Sequence, residues 1–184
     1  MMLTTIAAEA KISPGHFFPR QRMREDTIGR PMEILLIEDS LSSARLTMGA
    51  LKKSEVEHRM TWLADGTEGL AFLTRDGKYR QAPQPDLVLL DLNLPGRDGH
   101  EVLADIRSHE RLARTAVVIL TASTSEEDHK QVEALGVQSY MTKPVDLEQF
   151  LSVVQEVKAY WRANQIGPES VSYTHLTLPT ICSV

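Results

Sequence analysis

Leu87-Val88-Leu89-Leu90-Asp91-Leu92-Asn93-Leu94-Pro95-Gly96 is the stretch whose reading decides the fold. Four consecutive apolar residues ahead of a turn form the pattern of a strand buried on both faces, as inside a parallel sheet. Asp91 follows the run directly. It therefore stands at the carboxyl end of that strand, where open α/β sheets place their ligands. Asn93, Pro95 and Gly96 turn the chain away. Taken alone, Asp91 reads equally well as the cap of the next helix, and the surrounding chain separates the two readings.

Toward the N-terminus, Ile34-Leu35-Leu36-Ile37 forms a second buried strand, followed at once by Glu38-Asp39. Ser40 is placed to cap a helix reaching about Lys53, with Leu41, Ala44, Met48 and Leu51 on one face. A more polar strand over Glu57 to Leu63 has the character of a sheet edge. Asp65-Gly66 opens a helix carrying Leu70, Ala71 and Leu73, and a polar loop from Asp76 to Pro85 leads to the central run. Toward the C-terminus, Asp98-Gly99 starts a third helix with Val102, Leu103 and Ile106 inward. Arg107 to Arg114 reads as a charged connector. Ala116 to Leu120 is a further buried strand, ending in Thr121-Ala122-Ser123. Ser125, with Glu126, Glu127 and Asp128 favouring the helix dipole, opens a fourth helix stopped by Gly136. Gln138 to Thr142 is the last strand, followed by Lys143-Pro144. Asp146 caps a final helix carrying Leu147, Phe150, Leu151, Val154 and Val157 to about Tyr160-Trp161. Five β-α alternations predict an α/β fold: a doubly wound, five-stranded parallel sheet of flavodoxin-like topology with right-handed crossovers.

The composition, 42% hydrophobic and 24% charged over 184 residues, is that of a globular domain with tails. A net charge of -5 disfavours non-specific nucleic-acid binding, which needs a basic face. The single cysteine, Cys182, points to a reducing compartment. No apolar run approaches the roughly 18 residues of a membrane span, and the first residues lack the basic start of a secretory leader. Residues 1–31 read as a flexible N-terminal extension with a loose arginine cluster, 32–163 as the domain, and 164–184 as a tail, either flexible or foreign to the native protein. After Trp161 there is no helix-turn-helix pattern, which disfavours a transcription factor.

The strand ends carry the chemistry. Glu38 and Asp39 follow the first strand, Asp91 the third, Thr121 the fourth and Lys143 the fifth, and a doubly wound sheet brings all these ends to one edge. Three adjacent carboxylates repel unless a cation lies among them. Oxygen ligands suit Mg²⁺, with Mn²⁺ the alternative, and an ion left partly open is suited to phosphate oxygens. Asp91 then reads as a nucleophile toward a phosphoryl group, with Lys143 and Thr121 neutralising the transferred oxygens. A phosphatase of the haloacid-dehalogenase type would need an acid at the position of Asn93. A flavin-binding protein would need a phosphate-cradling loop where Glu38-Asp39 stands.

Ile34-Leu35-Leu36-Ile37-Glu38-Asp39, Leu89-Leu90-Asp91-Leu92-Asn93-Leu94-Pro95, Leu120-Thr121-Ala122 and Tyr140-Met141-Thr142-Lys143-Pro144 together resemble the receiver domain of two-component response regulators. The resemblance implies that Asp91 accepts phosphate from a phosphohistidine of a sensor kinase. It implies that Asp39 and Asp91 ligate Mg²⁺ directly, that Glu38 acts through water, and that the Asn93 backbone carbonyl completes the metal site. It gives Thr121, Ala122 and Lys143 to the phosphoryl group and Tyr140 to the switch. Asn93 and Ser123 would tune dephosphorylation. It further implies a non-enzymatic phosphoacceptor with self-phosphorylation from small donors, a homodimer through the fourth helix, last strand and fifth helix, a cis Lys143-Pro144 peptide and a cytoplasmic location. Leu92-Asn93-Leu94-Pro95, the insertion from Tyr79 to Pro85 and Pro144 to Phe150 resemble, more narrowly, stand-alone regulators that partner phytochrome-type histidine kinases.

Overall fold

Strands β1 (Met32–Ile37), β2 (His58–Leu63), β3 (Leu87–Leu90), β4 (Ala116–Thr121) and β5 (Ser139–Thr142) pair in parallel in the order β2-β1-β3-β4-β5. The computed structural model describes residues 30–165, apart from Glu55 and Pro144. The expectations for residues 1–29, for 166–184 including Cys182, and for the Lys143–Pro144 peptide lie outside the described residues. Helices α1 (Leu41–Lys52), α2 (Gly66–Thr74), α3 (Gly99–Ser108), α4 (Glu126–Ala134) and α5 (Leu147–Gln165) alternate with the strands, giving the doubly wound topology read from the sequence.

Successive strand residues point to opposite faces, so each buried strand feeds two cores. Ile34 and Leu36 of β1 join Leu87 and Leu89 of β3 in a layer closed by Ala44 and Leu51 of α1 and by Phe150 and Val154 of α5. Leu35 and Ile37 join Val88 and Leu90 in the opposite layer, closed by Phe72 and Leu73 of α2 and by Val102, Leu103 and Ile106 of α3. Each of the Val, Leu, Ile and Phe side chains contributes about 1.5–3 kcal/mol of burial. All four residues of β3 are fully buried, so the mount of Asp91 is fixed from both faces.

Three local expectations are corrected, and the inner face of α2 is added. Leu41 is 46% exposed rather than inward. As the first residue of α1 its side chain leans back over the preceding turn, beyond the reach of the sheet. The inner face of α2 is Gly66, Gly69, Phe72 and Leu73, while Leu70 and Ala71 are only half-buried. A Cβ on Gly69 would lie 2.4 Å from the Ile37 side chain, so the close approach of α2 to the sheet selects glycine. Arg107 is no connector residue. It lies in the last turn of α3, and its guanidinium donates to the carbonyls of Leu135, Gly136, Ala113 and Thr115 at 2.8–3.2 Å. Burial pushes its pKa below the usual arginine value. The final helix continues to Gln165, past Trp161.

The start of each site-proximal helix is secured as the sequence predicts. Ser40 accepts from the Ser43 amide at the head of α1, Asp98 and Glu101 form a reciprocal capping box on α3, and Ser125 accepts from the Glu127 and Asp128 amides on α4.

Candidate functional site

The loops after β1, β3, β4 and β5 meet at the carboxyl edge of the sheet. Glu38 is 1% exposed and Asp91 5%, whereas Asp39 is exposed. Carboxylate oxygens of Glu38, Asp39 and Asp91 lie within 4.8 Å of one another. The Lys143 ammonium reaches across from the end of β5, donating to Asp91 Oδ2 at 2.8 Å and to Glu38 Oε2. Burial pushes the Glu38 carboxyl above the usual range, the Lys143 ammonium offsetting part of the effect and the Asp91 charge adding to it. For Lys143, burial alone would lower the ammonium, but hydrogen bonds to Asp91 and Glu38 outweigh it and raise the net value.

Backbone geometry places these groups. The Asp91 amide donates to Ile37 O at 3.0 Å, extending the β1–β3 ladder into the site, and the Lys143 amide donates to Thr121 O at 2.7 Å, doing the same for β4 and β5. The Ser40 amide donates to Glu38 Oε1 at 3.1 Å. The Asn93 amide donates to Asp91 Oδ1 at 3.1 Å, a turn closed by the aspartate's own side chain. Gly99 lets α3 start against the site: a Cβ there would lie 2.2 Å from Asp91 O.

Beside the carboxylates lies a second, hydroxyl-rich group. Buried Thr121 accepts at Oγ1 from Asn93 Nδ2 and from the Ser123 amide, each at 3.2 Å. Tyr140 is half-buried, and its hydroxyl donates to Ser123 O at 3.0 Å. Its ring meets His129 of α4 edge-on at 4.7 Å. Burial, and then the charge of Asp128, push the Tyr140 hydroxyl above its usual pKa. Ala122, between Thr121 and Ser123 in the chain, is exposed.

Of the residues singled out from the sequence, Glu38, Asp39, Asp91 and Lys143 converge directly. Asn93 links Asp91 to Thr121, and Ser123 with Tyr140 forms the flank toward α4. The sequence reading missed three contributors. Ser40 serves Glu38 as well as α1. Asp128 hydrogen-bonds Ser123 Oγ from the first turn of α4. Trp62 donates its indole N–H to Glu38 O at 2.8 Å. The first could have been suspected from its adjacency. Asp128 lies only five residues from Ser123, at the head of α4, whereas Trp62 is 24 residues from Glu38 and only the fold brings the two together.

The donor set fits a hard divalent cation. Three carboxylates face a single ammonium, and two of them are removed from water, so the cluster retains negative charge offered entirely through oxygen. A parallel sheet with acids, a hydroxyl and a lysine at its carboxyl edge defines the receiver class of signalling domain. The response regulator receiver domain pattern matches residues 34–155, and the chain belongs to that family.

Among its relatives is the response regulator Rcp1 of Synechocystis sp., 42% identical over 136 residues that cover 74% of this chain and 92% of Rcp1. The probable methanogenesis regulatory protein FilR2 of Methanothrix harundinacea is 42% identical over 132 residues, covering 71% and 84%. Among solved structures, the Mn²⁺-bound form of Rcp1 is 43% identical with a TM-score of 0.63, covering 71% of this chain and 94% of that one. Phosphorylated RcpA, a cyanobacterial phytochrome response regulator, is 40% identical with a TM-score of 0.64, covering 73% and 96%. The chain is a receiver-domain response regulator, a signalling component of two-component systems. Among the described residues, no helix is long and apolar enough to cross a membrane.

Proposed function

We propose that Asp91 is the phosphoacceptor and that the receiver, taken as residues 32–163, draws its phosphoryl group from a phosphohistidine of a sensor histidine kinase. The observation that carries this reading is the Lys143 ammonium held between Asp91 and Glu38 at the end of β3. In the transfer, an Asp91 carboxylate oxygen forms a bond to phosphorus as the phosphorus–nitrogen bond of the donor histidine breaks. The electron pair of that bond stays on the imidazole nitrogen, which takes a proton from water. Asp39 and Asp91 would ligate Mg²⁺ or Mn²⁺ directly, Glu38 through water, and the Asn93 backbone carbonyl would complete the set. The ion supplies positive charge to the oxygens of the moving group. Lys143, the Thr121 hydroxyl and the Ala122 amide would meet those oxygens from the other side. Self-phosphorylation from small donors and slow autodephosphorylation belong to the same reading, with Asn93 and Ser123 setting the rate of loss.

A phosphoryl group on Asp91 would recruit the Thr121 hydroxyl, which now accepts from Asn93 and Ser123, and so release the contacts of Ser123 with Tyr140 and Asp128. The surface altered is that of α4, β5 and α5, proposed as the output and homodimer face. The likeness to RcpA supports a phytochrome-type kinase as donor, and the protein is taken to act in the cytoplasm. The test is incubation with Mg²⁺ and acetyl phosphate followed by intact-mass measurement. One acid-stable, base-labile phosphate is expected, lost in Asp91→Asn. An adduct of equal yield in Asp91→Asn, or none in the wild type, would overturn the assignment.

A further inference from the structure

β2 holds both of Glu38's backbone groups, the amide in the peptide from Ile37 and the carbonyl in the peptide to Asp39. The Glu38 amide donates to Leu63 O at 3.0 Å, the last rung of the β1–β2 ladder. Its carbonyl lies past that rung, since β2 ends at Leu63. The indole N–H of Trp62 donates to it there, at 2.8 Å. A side chain thus supplies the donor that a longer strand would have given. The ring is half-buried and packs against the layer formed by α1, α5 and the sheet, so the donor is fixed before any ligand arrives.

Glu38 has other restraints: burial, the Ser40 amide and the Lys143 ammonium. Asp39 is exposed and has no such enclosure. A peptide unit is planar, so fixing the carbonyl oxygen of Glu38 fixes the direction of the Asp39 nitrogen and Cα. We infer that Trp62 is a positioning residue for divalent-cation binding: its indole N–H orients the Glu38–Asp39 peptide and, through it, the Asp39 carboxylate. The inference rests on the metal-site reading given above.

The test is Trp62→Phe in the full chain, which keeps an aromatic ring and removes the donor. Binding is read by the electron-paramagnetic signal of free Mn²⁺, with Mg²⁺ as competitor. The expected result is a dissociation constant raised about three- to tenfold for both ions, as for loss of one outer hydrogen bond to a metal-ligand loop. The Mg²⁺ concentration for half-maximal acetyl phosphate labelling should rise by the same factor. A purely structural Trp62 would instead lower the melting temperature of the metal-free protein and leave the ion affinities unmoved, and that result overturns the inference. Should Trp62→Phe not fold, benzothienylalanine at position 62 in a Trp161→Phe chain preserves the bicyclic shape without the N–H, and the same weakening is expected. Absence of Mn²⁺ and Mg²⁺ binding by the wild type would overturn the metal-site reading, and this inference with it. Binding by the wild type and equally by both variants would overturn this inference alone.

Discussion

At the ends of β1 and β3, Glu38 and Asp91 are almost without solvent, and α3 closes over the β3 end with Val102, Leu103 and Ile106 fully buried. At the end of β4, by contrast, α4 contributes Val132 as its one buried residue among nine. There buried Thr121 is hydrogen-bonded to half-exposed Ser123, and Ser123 to half-exposed Asp128 and Tyr140. Packing of the first kind has a single arrangement, because dense cores do not deform gradually. Hydrogen bonds of the second kind can be exchanged for others at little net cost. One edge of one sheet thus joins a rigid carboxylate flank to a flank suited to rearrangement. Arg107 marks the border between them. From α3 it grips the carbonyls of Leu135 and Gly136, tying down the C-terminal end of α4 and leaving the N-terminal end, beside Ser123, held by polar contacts.

The largest effect should follow from removing the ammonium of the carboxylate flank. Lys143→Ala leaves two carboxylates buried without their partner, an expected loss of about 3–5 kcal/mol by urea unfolding in metal-free buffer. The Glu38 carboxyl is already raised by burial, so it costs stability when ionised and takes up a proton earlier than it would unfolded. The deficit should therefore be greatest at neutral pH and shrink as the pH falls through the acid range. A deficit that grows on acidification would contradict this account of the pair.

Next come the two helices. Ile106→Ala should cost about 2–5 kcal/mol, and Val132→Ala about 1–2 kcal/mol, since fewer atoms leave a thinner core. Equal losses would remove the contrast between α3 and α4. Smallest is Tyr140→Phe, which deletes the bond to Ser123 O. It should cost no more than about 1 kcal/mol in unfolding while altering the output of the phosphorylated form. A loss of several kcal/mol would place Tyr140 with the rigid flank instead.

Much of this contrast was legible in the sequence. The apolar runs Ile34 to Ile37, Leu87 to Leu90 and Ala116 to Leu120 announce buried parallel strands, and the alternation with capped helices dictates that their ends share an edge. Glu38, Asp39, Asp91, Thr121 and Lys143 follow from that placement. The local signal failed where packing distance or a long-range bond decides. Leu41 has the helical spacing of a core residue but lies at the end of α1, beyond the sheet. Gly66 and Gly69 carry no side chain to mark a buried face, yet α2 packs through them. Arg107 looks like one charge in a charged run, although its guanidinium reaches carbonyls as far as 29 residues away. Trp62 belongs to an edge strand, where an aromatic residue is unremarked, and its partner Glu38 is 24 residues distant.

The claim that one flank is fixed and the other responds is tested most directly by amide hydrogen exchange with and without Mg²⁺ and acetyl phosphate. The account predicts altered exchange in the β4–α4 loop, the N-terminal part of α4 and β5, with β1, β3 and α3 unchanged. Altered exchange spread equally over α3 and α4, or confined to α3, would contradict it.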